Sequence, residues 1–256
     1  MPLADLRNVR GVLTDIDDTL TTAGAITPDA LQALANLRTA GVSVIAITGR
    51  PMGWSQGFAM DWPVDAIVAE NGAVALFRDG DALHIEYDQA IEIRVANTLR
   101  LQAVAAQVLR EVPGASLAQD SAGRVTDIAI DHSELAHLNA GQIEQVLAAM
   151  RVAGMTATVS SIHINGWFGA HHKLSGARWM VQRLHGIHID DELARWIYVG
   201  DSTNDQMMFG HFPLSVGVAN LMHFKHQLTV WPAFITHRER GAGFAEVAHT
   251  LLSARE

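Results

Sequence analysis

Asp15 and Asp17 stand two apart at the end of the apolar run Val12-Leu13-Thr14, with the hydroxyl residue Thr19 close behind. Side chains at i and i+2 of an extended segment project to the same side, so both carboxylates can converge on one point where the strand ends. Like charges so placed repel and push one pKa up. The pairing makes sense where a divalent cation offsets the charge, or where one group must hold a proton. Both conditions are met if Asp15 attacks phosphorus and Asp17 serves as acid and base. Read alone, Asp17-Asp18-Thr19 is equally a polar turn capping a helix, because Asp and Thr favour such sites.

Three further segments bear on that choice. Val44-Ile45-Ala46-Ile47 reads as a buried strand ending in Thr48-Gly49-Arg50, which sets a hydroxyl and a glycine N–H at a strand's carboxyl end, where ligands of open α/β sheets bind. Trp196-Ile197-Tyr198-Val199 reads as another, ending in Gly200-Asp201-Ser202-Thr203-Asn204-Asp205 with an acidic pair at the strand-to-helix turn. Between them Lys173 precedes the helix-like stretch Leu174 to Leu184 and offers phosphate a point charge. Taken singly these are a strand-ending turn, a solvated N-cap and a helix-start cation. Their order and context are what one chemistry requires.

The set Asp15-Ile16-Asp17-Asp18-Thr19, Thr48-Gly49-Arg50, Lys173 and Gly200-Asp201-Ser202-Thr203-Asn204-Asp205 resembles the four ordered motifs of the haloacid dehalogenase superfamily. The resemblance is to its phosphatase branch with an α/β cap between the second and third motifs, subfamily IIB, the Cof-like group that includes sucrose-phosphate and mannosyl-phosphoglycerate phosphatases. It covers both ends of the chain, and the four-part set is specific; the middle matches a cap only by position and mixed strand and helix pattern. The resemblance implies Asp15 as nucleophile forming an aspartyl phosphate, with Asp17 protonating the departing alkoxide and then taking a proton from water. Magnesium is the expected cofactor, as a hard cation held by one or two carboxylates plus phosphate and water. Its ligands would be Asp15 and Asp201 through side chains and Asp17 through its backbone carbonyl, with Asp205 and Asn204 in support. Thr48, the N–H of Gly49 and Lys173 would hold the phosphoryl oxygens. Candidate substrate contacts are Arg50, Asn71, Gly72 and His172, with Asn220 as a weaker one; Asn71 and Asn220 are also ordinary turn formers.

The elements that must position these residues alternate. Thr27-Pro28 opens a helix through Ala40, with Leu31, Leu34, Ala35 and Leu37 at helical spacing and Gly41 past its end. The strand to Thr48, a helix from near Ser55 and the strand Ala66 to Ala69, leading into Glu70-Asn71-Gly72, complete a doubly wound pattern. After the turn at Arg78-Asp79-Gly80-Asp81, an inserted layer is expected: strand Ala82 to Tyr87, helix Ile91 to Glu111, strand Val125 to Asp131, helix Leu138 to Val152 and strand Thr156 to Ile164. Trp167-Phe168-Gly169 reads as its return hinge. Leu214 to Val218 and Phe234 to Thr236 are late strands, and Phe244 to Leu252 a last helix. The expected fold class is therefore α/β, a doubly wound parallel-sheet core over residues 1–80 and 169–256 with a smaller α+β cap over 81–168.

At 256 residues and 49% apolar content the chain can build such a core. Eighteen basic against 27 acidic residues, a net charge of -9, disfavour nucleic acid as partner. The lack of cysteine excludes disulfides and thiolate metal sites. The early acid and missing apolar core of the first residues, and the lack of any bilayer-length run, make the cytoplasm the default and a membrane no partner. The thirteen histidines show no His-Glu-x-x-His pattern and read as core or surface residues; Trp54 and Trp62 read as packing near the site's mouth. The expected activity is hydrolysis of a small phosphorylated metabolite, a sugar phosphate or polyol phosphate, by a monomer or homodimer. A phosphomutase or phosphotransferase with the same nucleophile, and a non-catalytic binder on the same fold, are the alternatives.

Overall fold

The computed structural model describes residues 6–255. The elements are β1 (Gly11–Thr14), β2 (Thr21–Thr22), β3 (Ala25–Ile26), α1 (Pro28–Thr39), β4 (Ser43–Ile47), α2 (Met52–Asp61), β5 (Ala66–Ala69), β6 (Val74–Asp79) and β7 (Ala82–Tyr87). There follow α3 (Ile91–Glu111), β8 (Ser116–Leu117), β9 (Asp127–Asp131), α4 (Ala140–Val152), β10 (Thr156–Val159) and β11 (His163–Trp167). The chain then runs through α5 (Lys173–His185), β12 (Trp196–Gly200), α6 (Gln206–His211), β13 (Leu214–Gly217), β14 (Phe234–Ile235) and α7 (Arg240–Ser253).

Eight strands form one sheet in the order β14-β13-β12-β1-β4-β5-β6-β7, parallel from β14 to β5 and antiparallel through β6 and β7. Its central strands are apolar on both faces, so consecutive residues enter opposite layers. Val12, Val44, Ile67 and Ile197 pack on the side of Leu34 and Phe244, while Leu13, Ile45, Val68 and Tyr198 pack on the side of Leu174 and Met180. A strand buried on both faces is the parallel, helix-covered type. Order β12-β1-β4 reverses direction of winding at β1, so the carboxyl end of β1 lies at the crevice where such sheets bind ligands. At the opposite, amino end of β1, Gly11 is required by contact: a Cβ would stand 2.2 Å from the Trp196 ring.

Four strands in the order β10-β11-β9-β8 form a second, antiparallel sheet, covered by α3 and α4 around Leu101, Val104, Val108, Ile130, Val146, Met150, Ile164 and Phe168. Two expected strands take other places. Ala82–Tyr87 pairs with β6 on the edge of the large sheet instead of opening the inserted layer, because Gly80 (φ 61) and Asp81 make a two-residue hairpin turn between the pair Asp79 and Ala82. The run Thr156 to Ile164 is two strands of a hairpin. Ser160 breaks it, its hydroxyl oxygen accepting the N–H of His163 at 3.0 Å and of Ile162 at 3.3 Å. Helix α2 begins at Met52, ahead of Ser55, and β9 begins at Asp127. No helix among the described residues is long and apolar enough to cross a membrane.

Candidate active site

The four loops singled out in the sequence meet at the carboxyl ends of β1, β4 and β12. Asp15 follows β1 directly, its N–H bonded to the Val199 carbonyl at 2.9 Å, so the backbone ladder with β12 fixes where the carboxylate begins. Lys173 is the first residue of α5. His172 caps that helix: its Nδ1 accepts the Ser175 N–H at 3.1 Å and its own N–H meets Ser175 Oγ at 2.9 Å. Gly72 (φ 114) lets the chain beneath pass close, since a Cβ there would lie 2.4 Å from the His172 carbonyl oxygen. His172 and Gly72, the expected substrate contacts, both help to seat Lys173. The neighbouring His171 is stacked on Trp167 with both ring nitrogens unpaired, and burial, then His172, pushes its pKa down to about 4.

Lys173 Nζ donates to Asp15 Oδ1 and to Asp205 Oδ1, each at 2.7 Å, all three side chains being buried. Asp205 Oδ1 also accepts from the Tyr198 hydroxyl, while its Oδ2 accepts the N–H of Asp201 at 2.9 Å and of Ser202 at 3.1 Å. Both Asp205 oxygens therefore have donors, and its work is to hold Lys173 and shape the 200–205 loop. Asn204 braces the same loop by accepting the Ser202 hydroxyl at 2.9 Å.

Asp201 is different. Its Oδ1 is buried with no hydrogen-bond partner, and Oδ2 has only the Asn220 amide at 3.5 Å. Burial first, then Asp15 and Asp205, raise its pKa well above the carboxylate range. Burial likewise lifts Asp15 to about 7 against the lowering influence of Lys173, with Asp205 and Asp17 adding to the rise. Two buried carboxylates that resist ionisation beside one lysine make a pocket short of positive charge. Asp15, Asp201 and Asp205 can bring one oxygen each within 4.8 Å of one another, the one group of potential metal ligands among the described residues. No histidine belongs to it. The all-oxygen donor set and the orphaned Asp201 oxygen fit a hard divalent cation such as magnesium.

Asp17 points elsewhere. Asp18 adopts φ 55, a left-handed conformation that Asp tolerates, and its carbonyl is held by Asn220 Nδ2 at 3.0 Å. Asp17 meets Arg50: Nε donates at 3.0 Å to both carboxylate oxygens, and an Nη lies 3.0 Å from Oδ1. Arg50 is thus beside the candidate acid, and its guanidinium stands 5.3 Å over the Trp54 ring. Thr48 Oγ1 accepts the Arg50 N–H at 3.0 Å, and the Gly49 carbonyl is taken by Arg124 at 2.9 Å and Asn165 at 3.3 Å. Gly49 leaves little room for a side chain, because a Cβ would sit 3.3 Å from the side chains of Asn165 and Asn71. Asn71 (φ 56) is buried under this loop with Nδ2 unpaired.

The second sheet supplies residues that the sequence alone did not mark. Arg50 reaches Asp120 at 3.1 Å and Glu134 at 3.5 Å. Arg124 joins Asp120 and Asp127 at 3.0 and 2.9 Å. Glu70 (φ 49) crosses the other way, accepting Met52 N at 3.0 Å and Thr126 N at 2.6 Å. Arg240, at the start of α7, pairs with Asp18 at 3.0 Å. Asp120, Arg124, Thr126 and Glu134 meet Arg50, Gly49 and Glu70 only when the second sheet folds down on the first, whereas Arg240 and Asp18 are both core residues remote in sequence.

A carboxylate at the switch point of a parallel sheet, held by a buried lysine and facing further acids, is an arrangement suited to a hard cation and an anionic ligand. A family model described as haloacid dehalogenase-like hydrolase matches residues 12–108. Over those residues the chain is similar to the haloacid dehalogenase-like hydrolases. No curated protein matches it. Its fold is that of solved structures at low identity. One is a protein of Thermoplasma acidophilum (TM-score 0.72, 14% identity, 95% of this chain and 98% of that one). A second, from Plasmodium vivax, is described as a HAD/COF-like hydrolase (0.68, 15%, 98% and 99%). A third is described as a trehalose-6-phosphate phosphatase related protein (0.64, 14%, 96% and 99%).

Proposed function

We propose that the protein is a magnesium-dependent phosphomonoester hydrolase that works through an aspartyl phosphate on Asp15. The observation that supports this most is the contact of Lys173 Nζ with Asp15 and Asp205 beside the unpartnered Asp201 oxygen. Lys173 orients the Asp15 carboxylate and offers a positive charge to the transferring phosphoryl oxygens. Thr48 presents its hydroxyl and Gly49 its N–H at the end of the neighbouring strand for the same oxygens. Magnesium would be held by Asp15, Asp201 and the Asp17 carbonyl, and when bound supplies neutralisation of phosphoryl charge. Asp17 delivers a proton to the departing alkoxide and then removes one from the incoming water, a contribution of typically ~10² to 10⁴-fold. Arg50 orients Asp17 through its guanidinium fork. Residues beyond Tyr87 and up to about Trp167 act in this reading as the cap, closing over a small soluble substrate, a sugar or polyol monophosphate, in the cytoplasm.

The test is p-nitrophenyl phosphate hydrolysis with magnesium, by the parent and by Asp15→Asn. The parent releases phosphate, stops when the metal is chelated and recovers when magnesium is returned; the variant, folded by circular dichroism, stays at background. Parent-like turnover by the variant would remove Asp15 as nucleophile.

A further inference from the structure

A cavity of about 360 Å³ lies beside the catalytic acid, lined in part by Asp17, Asp18, Arg50, Glu134 and Arg240. Glu134 is the ionisable side chain that the second sheet lends to it. Its loop, directly after β9, is pinned by Asp131, whose carboxylate oxygens accept the N–H groups of Ser133, Glu134, Leu135 and Ala136 at 3.0, 2.8, 2.7 and 2.9 Å. Four backbone donors on one carboxylate make a rigid loop. The head group is steered further by His163 on β11, whose Nε2 lies 3.0 Å from Glu134 Oε2, and by Arg50 at 3.5 Å from Oε1. Even so held, 32% of the Glu134 side chain remains exposed, and the residue lines the cavity.

Charge at the cavity is already matched on the positive side. Arg50 faces Asp17, Asp120 and Glu134, and Arg240 faces Asp18 at 3.0 Å. Three lining carboxylates meet two lining guanidiniums. A carboxylate offers only acceptor oxygens, so it suits a hydroxyl donor and opposes another anion.

We propose that Glu134 selects the leaving group, accepting a hydrogen bond from a hydroxyl of a neutral sugar or polyol monophosphate and rejecting substrates with a carboxylate or second phosphate near the scissile ester. This rests on the phosphatase reading and adds to it a sign: the leaving group is uncharged. Like charges brought together at a closed interface suppress wrong partners. Loss of the Glu134 charge also releases one carboxylate from Arg50, which acts in the same direction.

The experiment compares kcat/KM for two esters of one carbon skeleton, sorbitol phosphate and the phosphate of gluconic acid, in the parent, Glu134→Gln and Glu134→Asp. The parent prefers the sorbitol ester, and the Gln variant moves the ratio toward the acid by about tenfold, the fold-change of ~1.4 kcal/mol. The Asp variant keeps the parent's direction. Inhibition constants of the same two compounds against p-nitrophenyl phosphate hydrolysis by the parent give a second reading that needs no variant, the sorbitol ester binding more tightly. An unmoved ratio in the Gln variant, parent preference for the acid, or turnover of p-nitrophenyl phosphate with neither ester cleaved, each overturns the inference and leaves the phosphatase reading standing. Failure of the parent on p-nitrophenyl phosphate as well sinks that reading instead.

Discussion

Asp201 carries the sharpest conflict at the scale of single residues. It is wholly buried, lacks a partner for one oxygen and lies near Asp15 and Asp205, with Lys173 the one ammonium among them. A fold selected for stability alone would remove such a charge, because buried carboxylates close together repel and lose hydration. We therefore expect Asp201→Asn to raise the stability of the metal-free protein by about 1 kcal/mol, roughly 2–4 °C in Tm for a chain of this size. The same variant should lose magnesium-supported turnover. Differential scanning calorimetry with chelator present measures the first effect, and a lowered Tm would show that Asp201 is a structural acid instead. Asp15, Asp17, Lys173, Asp201 and Asp205 were legible in the sequence because each sits at a fixed offset from an apolar strand or helix start. Glu134, Asp120 and Arg240 were not, because their partners are remote in the chain: Arg50 for the first two, Asp18 for the third.

The elements show the same division between local and remote information. Strands β1, β4, β5 and β12 were readable as apolar runs buried on both faces, and the helix from Pro28 was marked by its Thr27 cap and proline. Pairing was less legible. Ala82–Tyr87 alternates like any half-buried strand, and only the two-residue turn at Gly80-Asp81 assigns it to the large sheet. Ser160 broke an apparent strand without glycine or proline. Between the sheets, Glu70 is the element-scale joint: it leaves β5 in a left-handed conformation and accepts the N–H groups of Met52, Val125 and Thr126 and the Thr126 hydroxyl. Burial, followed by Asp127, raises its pKa from the usual 4.5 to about 7, against those donors. The native form thus holds a proton that the unfolded chain has already released between those values. By linkage, this group's share of stability is complete below about 4.5 and is lost as pH rises through about 7. Tm measured against pH should therefore fall less steeply across that window in Glu70→Gln than in the parent. Parallel curves would remove Glu70 from the account of pH dependence.

For the whole molecule, what matters is how tightly the second sheet sits on the first. Arg50 ties the candidate acid of the core to Asp120 and Glu134, Arg124 and Asn165 hold the Gly49 carbonyl, and Thr203 donates to the Val159 carbonyl at 3.0 Å. Most of these contacts pass through side chains that can rotate. One does not. Gly53 on α2 and Gly123 meet backbone to backbone, so that a Cβ on Gly53 would lie 3.0 Å from the Gly123 Cα. A lid that must close to exclude water and complete a site is limited by its closest rigid contact. Gly53→Leu should hold the two sheets apart while leaving the Lys173 cluster, on the far side of β4, intact. Leucine is also a better helix former than glycine, so a loss of activity could not be assigned to a weakened α2. The expected outcome is a larger radius of gyration in solution scattering, Tm within a few degrees of the parent, and a fall of at least about tenfold in kcat/KM for a polyol phosphate, ~1.4 kcal/mol of transition-state binding. For acetyl phosphate, whose small acyl group needs little enclosure, the fall should be smaller. An equal fall for both compounds would place the effect in the chemistry and not in closure, and an unchanged radius of gyration with unchanged rates would mean that the sheets do not have to meet as closely as they do at these two glycines.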